Sequence, residues 1–178
     1  IDNQKNWVIP PAYDFCLPFE DRDFTWVKKD SQSLLINKQG RATQTLAFQN
    51  ISEIHGDIIV YRHQNLLGWY NKATNRTIDA QYLKLEFLEA TDHFITTDTA
   101  TSSLVDINNN LVIREDSLDH IIFDEYYYIS KNNKTGIYTT DGQNIIPKEY
   151  VYITPYPDHF IAQVPSGEKH IYQKDGAL

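Results

Sequence analysis

The feature that most constrains this chain is an internal repeat with a nearly constant period. Turn signals fall at positions 5, 40, 75, 110, 142 and 176, so they recur at intervals of 35, 35, 35, 32 and 34 along the chain. The clearest copy has a short apolar strand, the turn Asp141-Gly142, and a second apolar strand that is expected to end at Pro147. Asp-Gly favours a tight turn because glycine adopts positive φ at little cost. A fixed period of this length predicts tandem copies of one supersecondary unit.

A second landmark repeats in step with the turns. An acidic residue followed by an aromatic or β-branched run begins at Asp23, Asp57, Asp92, Glu125 and Asp158, at intervals of 34, 35, 33 and 33. Short apolar runs and polar turn residues lie between the landmarks, and no window has the sustained helical apolar period. The sequence therefore predicts an all-β tandem repeat of about five 32–35-residue units, each a three- to four-stranded antiparallel meander. The predicted units are 6–40, 41–75, 76–110, 111–142 and 143–176, within a single β-repeat domain, 1–178.

Two arrangements of the units are consistent with the repeat. In an open solenoid-like array each unit contacts only its neighbours, whereas in a closed five-bladed propeller-like toroid the first and last units seal their strand edges. The turn near Lys5 duplicates the turn at Gly176, so closure would leave one surplus turn. This favours the open array, with the toroid as the alternative.

Charge and composition narrow the classes of partner. The chain has 24 acidic and 16 basic residues, a formal charge of −8 and no Lys/Arg cluster, which argues against nucleic-acid binding. No apolar run approaches the ~18 residues of a membrane span, so membrane insertion is not expected. The single cysteine, Cys16, excludes an intrachain disulfide. The absence of methionine, even at position 1, predicts a processed mature form or an excised segment, with a periplasmic or secreted location and a cytoplasmic location as the alternative.

The histidines do not form a metal-binding motif. His93 and His159 occupy the same place in their repeats, each directly after an aspartate, and a shared repeat position is more often structural. The six histidines show no HxH or HExxH spacing, and no phosphate-binding glycine loop is present. The sequence therefore predicts no metal and no cofactor.

Carboxylates are the stronger enzymatic candidates, as two groups of them are close in sequence: Glu20, Asp21 and Asp23, and Glu86 and Glu89. A glycosidase needs two carboxyl groups about 5.5 Å apart for retention, or roughly 6.5–9.5 Å apart for inversion. Acidic residues of a chain with this net charge are usually solvated. The sequence predicts a non-catalytic protein, and a glycosidase-like enzyme is the less favoured alternative.

The aromatic surplus is the feature most typical of a binding function. The chain has 12 tyrosines, and Tyr126, Tyr127 and Tyr128 must direct at least one ring away from the core because side chains alternate along a strand. Exposed positions are also expected for Tyr152, Tyr156 and Trp69. Exposed tyrosine and tryptophan contribute strongly to binding protein partners, and their rings also stack on sugars. We therefore expect another protein as the partner, with a carbohydrate or cell-wall binding module, marked by coplanar exposed rings at the repeat spacing, as the alternative.

One stretch resembles a known family. The segment from Lys134 to Tyr150, with its Gly136-Ile137 pair, its turn at Gly142 and its Ile-Pro-x-x-Tyr ending, resembles the bacterial WG (KWG) repeat family. Weaker copies occur at Leu67-Gly68-Trp69 and from Trp7 to Tyr13, and the Trp that names the motif is replaced by Leu67 and Thr135. The resemblance implies tandem β-rich repeats that mediate interactions, and it supplies no catalytic residue.

Overall fold

The computed structural model describes Ile9 and residues 11–99, 101–115 and 120–178, and for residues 115 and 120–123 it describes the backbone alone. The predicted turn at Lys5 and the Trp7 end of the first copy lie outside the described residues. The described part contains nineteen β-strands and no helix. The strands form five antiparallel sheets of three or four strands in which sequence neighbours pair, which confirms the predicted all-β repeat of short meanders.

The chain divides into two compact units, residues 1–83 and 84–178. The first unit contains two sheets. Sheet 1 consists of β1 (Phe15–Cys16), β2 (Phe24–Lys29), β3 (Gln32–Asn37) and β4 (Ala42–Leu46). Sheet 2 consists of β5 (Asn50–His55), β6 (Ile58–His63), β7 (Leu66–Asn71) and β8 (Arg76–Tyr82).

The second unit contains three sheets. Sheet 3 consists of β9 (Lys84–Leu88), β10 (His93–Thr97), β11 (Ser102–Asp106) and β12 (Leu111–Glu115). Sheet 4 consists of β13 (His120–Asp124), β14 (Tyr126–Lys131), β15 (Lys134–Tyr138) and β16 (Asn144–Tyr150). Sheet 5 consists of β17 (Tyr152–Pro155), β18 (His159–Gln163) and β19 (Lys169–Gln173).

Two-residue turns join the second and third strands in sheets 1, 2 and 4. Both residues of each turn have positive φ, as a type I′ hairpin requires: Asp30–Ser31 (49° and 66°), Gln64–Asn65 (48° and 67°) and Asn132–Asn133 (51° and 56°). The polar residues at these positions therefore form hairpin turns. Their twist matches the right-handed twist of the flanking strands, which fixes the register of each central hairpin.

The repeat period is set by the turn that follows the third strand. A residue with positive φ lies at Gly40, Asn75, Asn109, Gly142 and Gly176, at intervals of 35, 34, 33 and 34 along the chain. The third of these turns has Asn109, not Asn110, in the left-handed conformation. In sheets 1 to 4 this turn lies before the fourth strand, so the second to fifth predicted repeats each begin with the last strand of the preceding sheet. The predicted unit boundaries stay predictions, as do the open and closed arrangements.

A glycine in the third strand allows the fourth strand to pair closely with it in two of the sheets. The pairing of β7 with β8 shifts between Leu67 and Trp69, and a Cβ atom on the intervening Gly68 would lie 2.5 Å from the backbone oxygen of Ile78. Gly136 lies in the same position between β15 and β16, with a Cβ distance of 2.8 Å to the oxygen of Ile146. Glycine is therefore required at this bulge because the neighbouring backbone fills the space of a side chain.

The fourth strand of sheet 4 does not end where the sequence predicts. β16 continues through Pro147 to Tyr150, so the expected stop at proline is wrong. Proline lacks an N–H group, but β16 is an edge strand with an irregular register, where a missing donor costs little.

Consecutive sheets share an apolar core within each unit. In the first unit, buried residues of sheet 1 pack against those of sheet 2: Phe24, Trp26, Leu35 and Leu46 with Ile54, Ile59 and Tyr70. In the second unit, sheets 3 and 4 meet at Leu104, Ile113, Tyr127 and Ile129. Sheets 4 and 5 meet at Ile137, Ile145, Ile146 and Tyr150 with Phe160, Ala162 and Tyr172. Stacking thus buries apolar faces that a single small sheet would leave in water.

Candidate functional site

Two of the six predicted partner-binding aromatics are buried. Trp69 is 0% exposed in β7, where its ring stacks on Tyr82 at a centroid distance of 5.9 Å, so the expected exposure of Trp69 is wrong. Tyr127 is also fully buried, and its hydroxyl donates a hydrogen bond of 2.8 Å to Thr91 Oγ1. Neither ring lies on the surface of the described structure.

Tyr126 and Tyr128 flank Tyr127 on the opposite face of β14, as the alternation predicts, but both are half-buried. Tyr126 packs edge-on against Phe160 at 5.2 Å, with Lys174 Nζ 5.3 Å from its ring centroid. The Tyr128 hydroxyl is buried and makes no hydrogen bond with any residue whose side chain the structure describes. Burial, with the nearby charge of Asp124, raises the pKa of Tyr128 to about 12. Tyr126 and Tyr128 therefore pack mainly against the core between sheets 4 and 5, and little of either ring is exposed to a partner.

Tyr152 and Tyr156 are the predicted aromatics that the structure exposes, at 71% and 43%. Tyr152 is the first residue of β17, and Tyr156 directly follows its last residue, Pro155. Tyr152 pairs with Gln163, and Gln163 in turn pairs with Lys169. Directly paired residues share a face of an antiparallel sheet, and so do residues two positions along each strand. Tyr152 therefore shares a face with Tyr156.

The same face carries an aliphatic row that the sequence analysis missed. Thr154 pairs with Ile161, and Ile161 pairs with Ile171, which is 55% exposed. The signal was present in the sequence, because Ile171 lies between His170 and Tyr172 and must point away from the side on which they lie. We call the three rows Tyr152–Gln163–Lys169, Thr154–Ile161–Ile171 and Tyr156–His159–Gln173 the sheet 5 face.

One end of the sheet 5 face is held rigid. The Tyr156 and His159 rings stack with centroids 4.7 Å apart and an interplanar angle of 1°. His159 Nδ1 lies 2.7 Å from Asp158 Oδ1, and this hydrogen bond lowers the pKa of Asp158. The backbone N–H of Tyr156 also donates to the carbonyl oxygen of His159 at 2.8 Å. A preorganised aromatic pair loses little conformational entropy on binding.

The opposite face of sheet 5 is anchored on sheet 4 by a tyrosine at the end of the Ile-Pro-x-x-Tyr segment. The Tyr150 hydroxyl lies 2.6 Å from the Tyr172 hydroxyl and 2.8 Å from His170 Nδ1. His170 Nε2 lies 3.3 Å from a carboxylate oxygen of Glu168. Burial, then the hydrogen bond with Tyr172, raises the pKa of Tyr150, which therefore stays a neutral hydroxyl. This network joins β16 to β19 and leaves the sheet 5 face turned outward.

The histidines and carboxylates considered as chemical sites do not converge. His93 lies against Tyr127 at a ring distance of 6.0 Å, whereas its repeat counterpart His159 belongs to the sheet 5 face. Glu20 forms an ion pair with Arg22 at 2.8 Å, and Asp23 forms one with Lys38 at 3.0 Å. Across the described ranges no group of three or more His, Cys, Asp or Glu side chains could hold a metal ion. Asp21, Glu86 and Glu89 are exposed.

Over the residues that the structure describes, no helix is long and apolar enough to cross a membrane.

Comparison with known proteins confirms the predicted resemblance over the N-terminal part. The family described as WG containing repeat matches residues 1–32. The match covers the copy from Trp7 to Tyr13, whereas the copy from Lys134 to Tyr150, which looked clearest by its residues, lies outside it. No curated protein matches the chain.

Solved structures show likeness in fold at very low identity. A eukaryotic initiation factor is 7% identical, with a TM-score of 0.50 over 98% of this chain and 55% of the other. The N-terminal domain of Nup159 is 10% identical, with a TM-score of 0.43 over 93% and 60% of the two chains. Hsv2 of Kluyveromyces lactis is 12% identical, with a TM-score of 0.38 over 89% and 58%. The chain therefore spans between half and two thirds of each of these proteins, and the first likeness is one of fold alone.

Proposed function

We propose that this chain is a non-catalytic repeat module that binds another protein through the sheet 5 face. The observation that carries the proposal is the exposure of Tyr152 and Ile171 on one face of a sheet whose other face is packed on sheet 4. Tyrosines are enriched at the centres of protein interfaces, where they combine a large apolar area with a polar tip.

The composition of the face favours a protein over a sugar. Ile161 and Ile171 form an aliphatic row between the two tyrosine rows, and a sugar would not bury that row well. Tyr152 and Tyr156 lie together at β17, whereas Phe15, the third exposed Phe, Tyr or Trp ring among the described residues, packs against Trp26 in sheet 1. Polar residues at the margin, Gln163 and Lys169 among them, match the polar rim of a protein interface.

Placement of the carboxylates supports the non-catalytic part of the proposal. Glu20 and Asp23 are engaged by separate cations, Arg22 and Lys38, and their side chains are mostly in water. A general acid needs a raised pKa, which burial or a neighbouring carboxylate would supply.

The test is an affinity capture with matched variants. The tagged chain, the double variant Tyr152→Ala/Ile171→Ser and the control Leu111→Ser are each immobilised, exposed to extract of the source organism and analysed by quantitative mass spectrometry. Leu111 is 58% exposed on sheet 3, so its replacement removes a similar exposed apolar group from another sheet. Loss of a central anchor costs about 2 kcal/mol or more, or roughly a 30-fold weaker affinity.

The supporting result is one stoichiometric protein retained by the wild type and by Leu111→Ser and lost from the double variant. Equal retention by all three proteins would reject the sheet 5 face as the site. Retention of cell-wall polysaccharide in place of a protein would favour the carbohydrate-binding alternative. We also propose a bacterial source and a periplasmic or secreted location, with the cytoplasm as the alternative, which fractionation of the source cells and immunoblotting would decide.

A further inference from the structure

A second surface of the molecule has the composition of a small-ligand site. In the first unit a cleft of about 500 Å³ lies between the linker 47–49, the end of β6 and the middle of β8. This volume falls within the range of about 300–1,000 Å³ that is usual for small-molecule sites. It contains none of the residues of the sheet 5 face, so it is a separate site.

Two stacked rings form the apolar part of the cleft. Phe48 and Tyr61 lie with centroids 4.2 Å apart and an interplanar angle of 11°. The buried Tyr61 hydroxyl donates a hydrogen bond of 3.1 Å to the carbonyl oxygen of Ile78. Burial, then the charge of Asp79, raises the pKa of Tyr61, so this hydroxyl stays protonated and holds the ring pair in place.

Polar side chains with free hydrogen-bonding capacity line the rest of the cleft. Asn50, His63 and Asp79 are exposed there, and none of their side chains makes a hydrogen bond or an ion pair within the described residues. Arg62 also lines the cleft and makes one long contact, 3.3 Å from Nη1 to the carbonyl oxygen of Asn65. The lining therefore combines an amide, a carboxylate, a guanidinium and an imidazole around an aromatic pair.

The mixture of charges decides the class of ligand. A small anion would meet the carboxylate of Asp79, and a small cation would meet the guanidinium of Arg62. An apolar ligand would displace water from these polar groups without replacing its hydrogen bonds. The lost hydrogen bonds would cost about 1–3 kcal/mol of binding free energy for each group left unpaired. A neutral polyhydroxyl compound avoids all three penalties, because each hydroxyl both donates and accepts a hydrogen bond.

We propose that this cleft binds a neutral saccharide unit. Planar side chains such as Asn50, Asp79 and Arg62 can each engage two adjacent hydroxyl groups. Phe48 is half-buried, with its ring also 5.8 Å from that of Tyr70, and the C–H surface of the sugar packs against the part of Phe48 that stays exposed in the cleft. The proposal does not depend on the protein partner. It adds a small-ligand site in the first unit to a docking surface in the second.

The test is saturation-transfer-difference NMR on the intact chain with defined sugars. The neutral probes are glucose, galactose, N-acetylglucosamine, maltose and cellobiose, each at about 10 mM, and the charged comparators are glucuronate and glucosamine. We expect transfer to the ring protons of at least one neutral probe. Asp79→Ala and Asn50→Ala should each weaken that binding about tenfold.

The control variant is Asp21→Ala, which removes an exposed carboxylate of the same unit away from the cleft and should leave sugar binding unchanged. Urea unfolding of all three variants checks that the fold is retained, since the replaced side chains are exposed. Absence of transfer to every neutral probe, binding that survives both cleft variants, or binding of the charged comparators alone would each overturn the proposal. None of these outcomes affects the capture experiment, which uses variants of the sheet 5 face.

Discussion

Replacement of Gly142 by alanine tests whether the turn after the third strand holds successive sheets together. Gly142 has φ of +89°, and a Cβ atom there would overlap the backbone oxygen of Val112 in sheet 3. The next turn repeats this contact, since a Cβ atom on Gly176 would lie 2.6 Å from the oxygen of Ile145 in sheet 4. The turn glycine therefore allows the close approach of one sheet to the fourth strand of the sheet before it.

Gly167 provides a matched control. It has φ of +92° in a turn of the same hydrogen-bonding pattern, Val164 to Glu168, yet the nearest atom to a Cβ there is 3.9 Å away. Alanine at either position must adopt a left-handed conformation, at a cost of about 1–2 kcal/mol. At Gly142 alone, the clash with a backbone carbonyl should add about 1–3 kcal/mol.

The measurement is urea unfolding of the wild type, Gly142→Ala and Gly167→Ala, followed by circular dichroism. We expect Gly142→Ala to lose about 1–3 kcal/mol more than Gly167→Ala, with an unchanged dependence of the free energy on urea. In thermal unfolding, 1 kcal/mol corresponds to about 2–4 °C for a chain of this size. Equal losses in the two variants would refute the close approach as the reason for glycine at Gly142.

Four further substitutions test other contacts, each by urea unfolding. Tyr128→Phe should leave stability unchanged or raise it by up to about 1 kcal/mol, because the buried hydroxyl has no hydrogen-bond partner among the described side chains. Tyr150→Phe should cost about 1–3 kcal/mol because its hydroxyl joins two sheets, and equal effects of the two substitutions would contradict this reasoning. Gly136→Ala should cost about 1–3 kcal/mol because its Cβ would lie 2.8 Å from the oxygen of Ile146, and wild-type stability would reject the bulge argument. Burial alone would raise the pKa of Asp106, but the hydrogen bonds that it accepts within its own turn lower that pKa below its usual value. The ionised carboxylate should therefore stabilise the folded chain at pH values above the pKa of Asp106 in the unfolded chain. This stabilisation should be lost as the pH falls through the pKa of Asp106 in the folded chain. Between about pH 6 and pH 3 the wild type should therefore lose more stability than Asp106→Asn, which keeps an acceptor for the turn, and parallel losses would refute the assignment.

The period and the fold class were accessible from the sequence because they depend on local conformational chemistry. Positions such as Gly40 and Gly142 need positive φ, and few residue types tolerate it. The same rule explains why Asn109 holds the left-handed position in the third turn, directly before the predicted Asn110. Where a turn needs positive φ, the regular spacing of glycine and asparagine residues is enough to locate it.

Burial was harder to predict because it depends on what covers each face of a strand. Trp69 and Ile171 both occupy third strands, yet one is fully buried and the other is 55% exposed. Five consecutive residues of β7 are buried, so its two faces are both covered, whereas β19 alternates. The sequence of a strand shows which side chains share a face. It does not show whether another sheet covers that face.

The difference between covered and uncovered faces also explains the chemistry of the proposed docking surface. A sheet in a tandem repeat needs apolar residues wherever a neighbour packs, and sheet 5 meets this need with Phe160 and Tyr172 on the side of sheet 4. Its other face carries large side chains too, but Tyr152 adds a hydroxyl that water can solvate. Burial of apolar surface contributes about 25 cal/mol of free energy for each square ångström, and an exposed face gains this only when a partner covers it. Such a face therefore stabilises a complex more than it stabilises the isolated chain. Burial of this face by a partner should therefore make the heat-capacity change of binding negative, and a value near zero would mean that the partner contacts polar surface elsewhere.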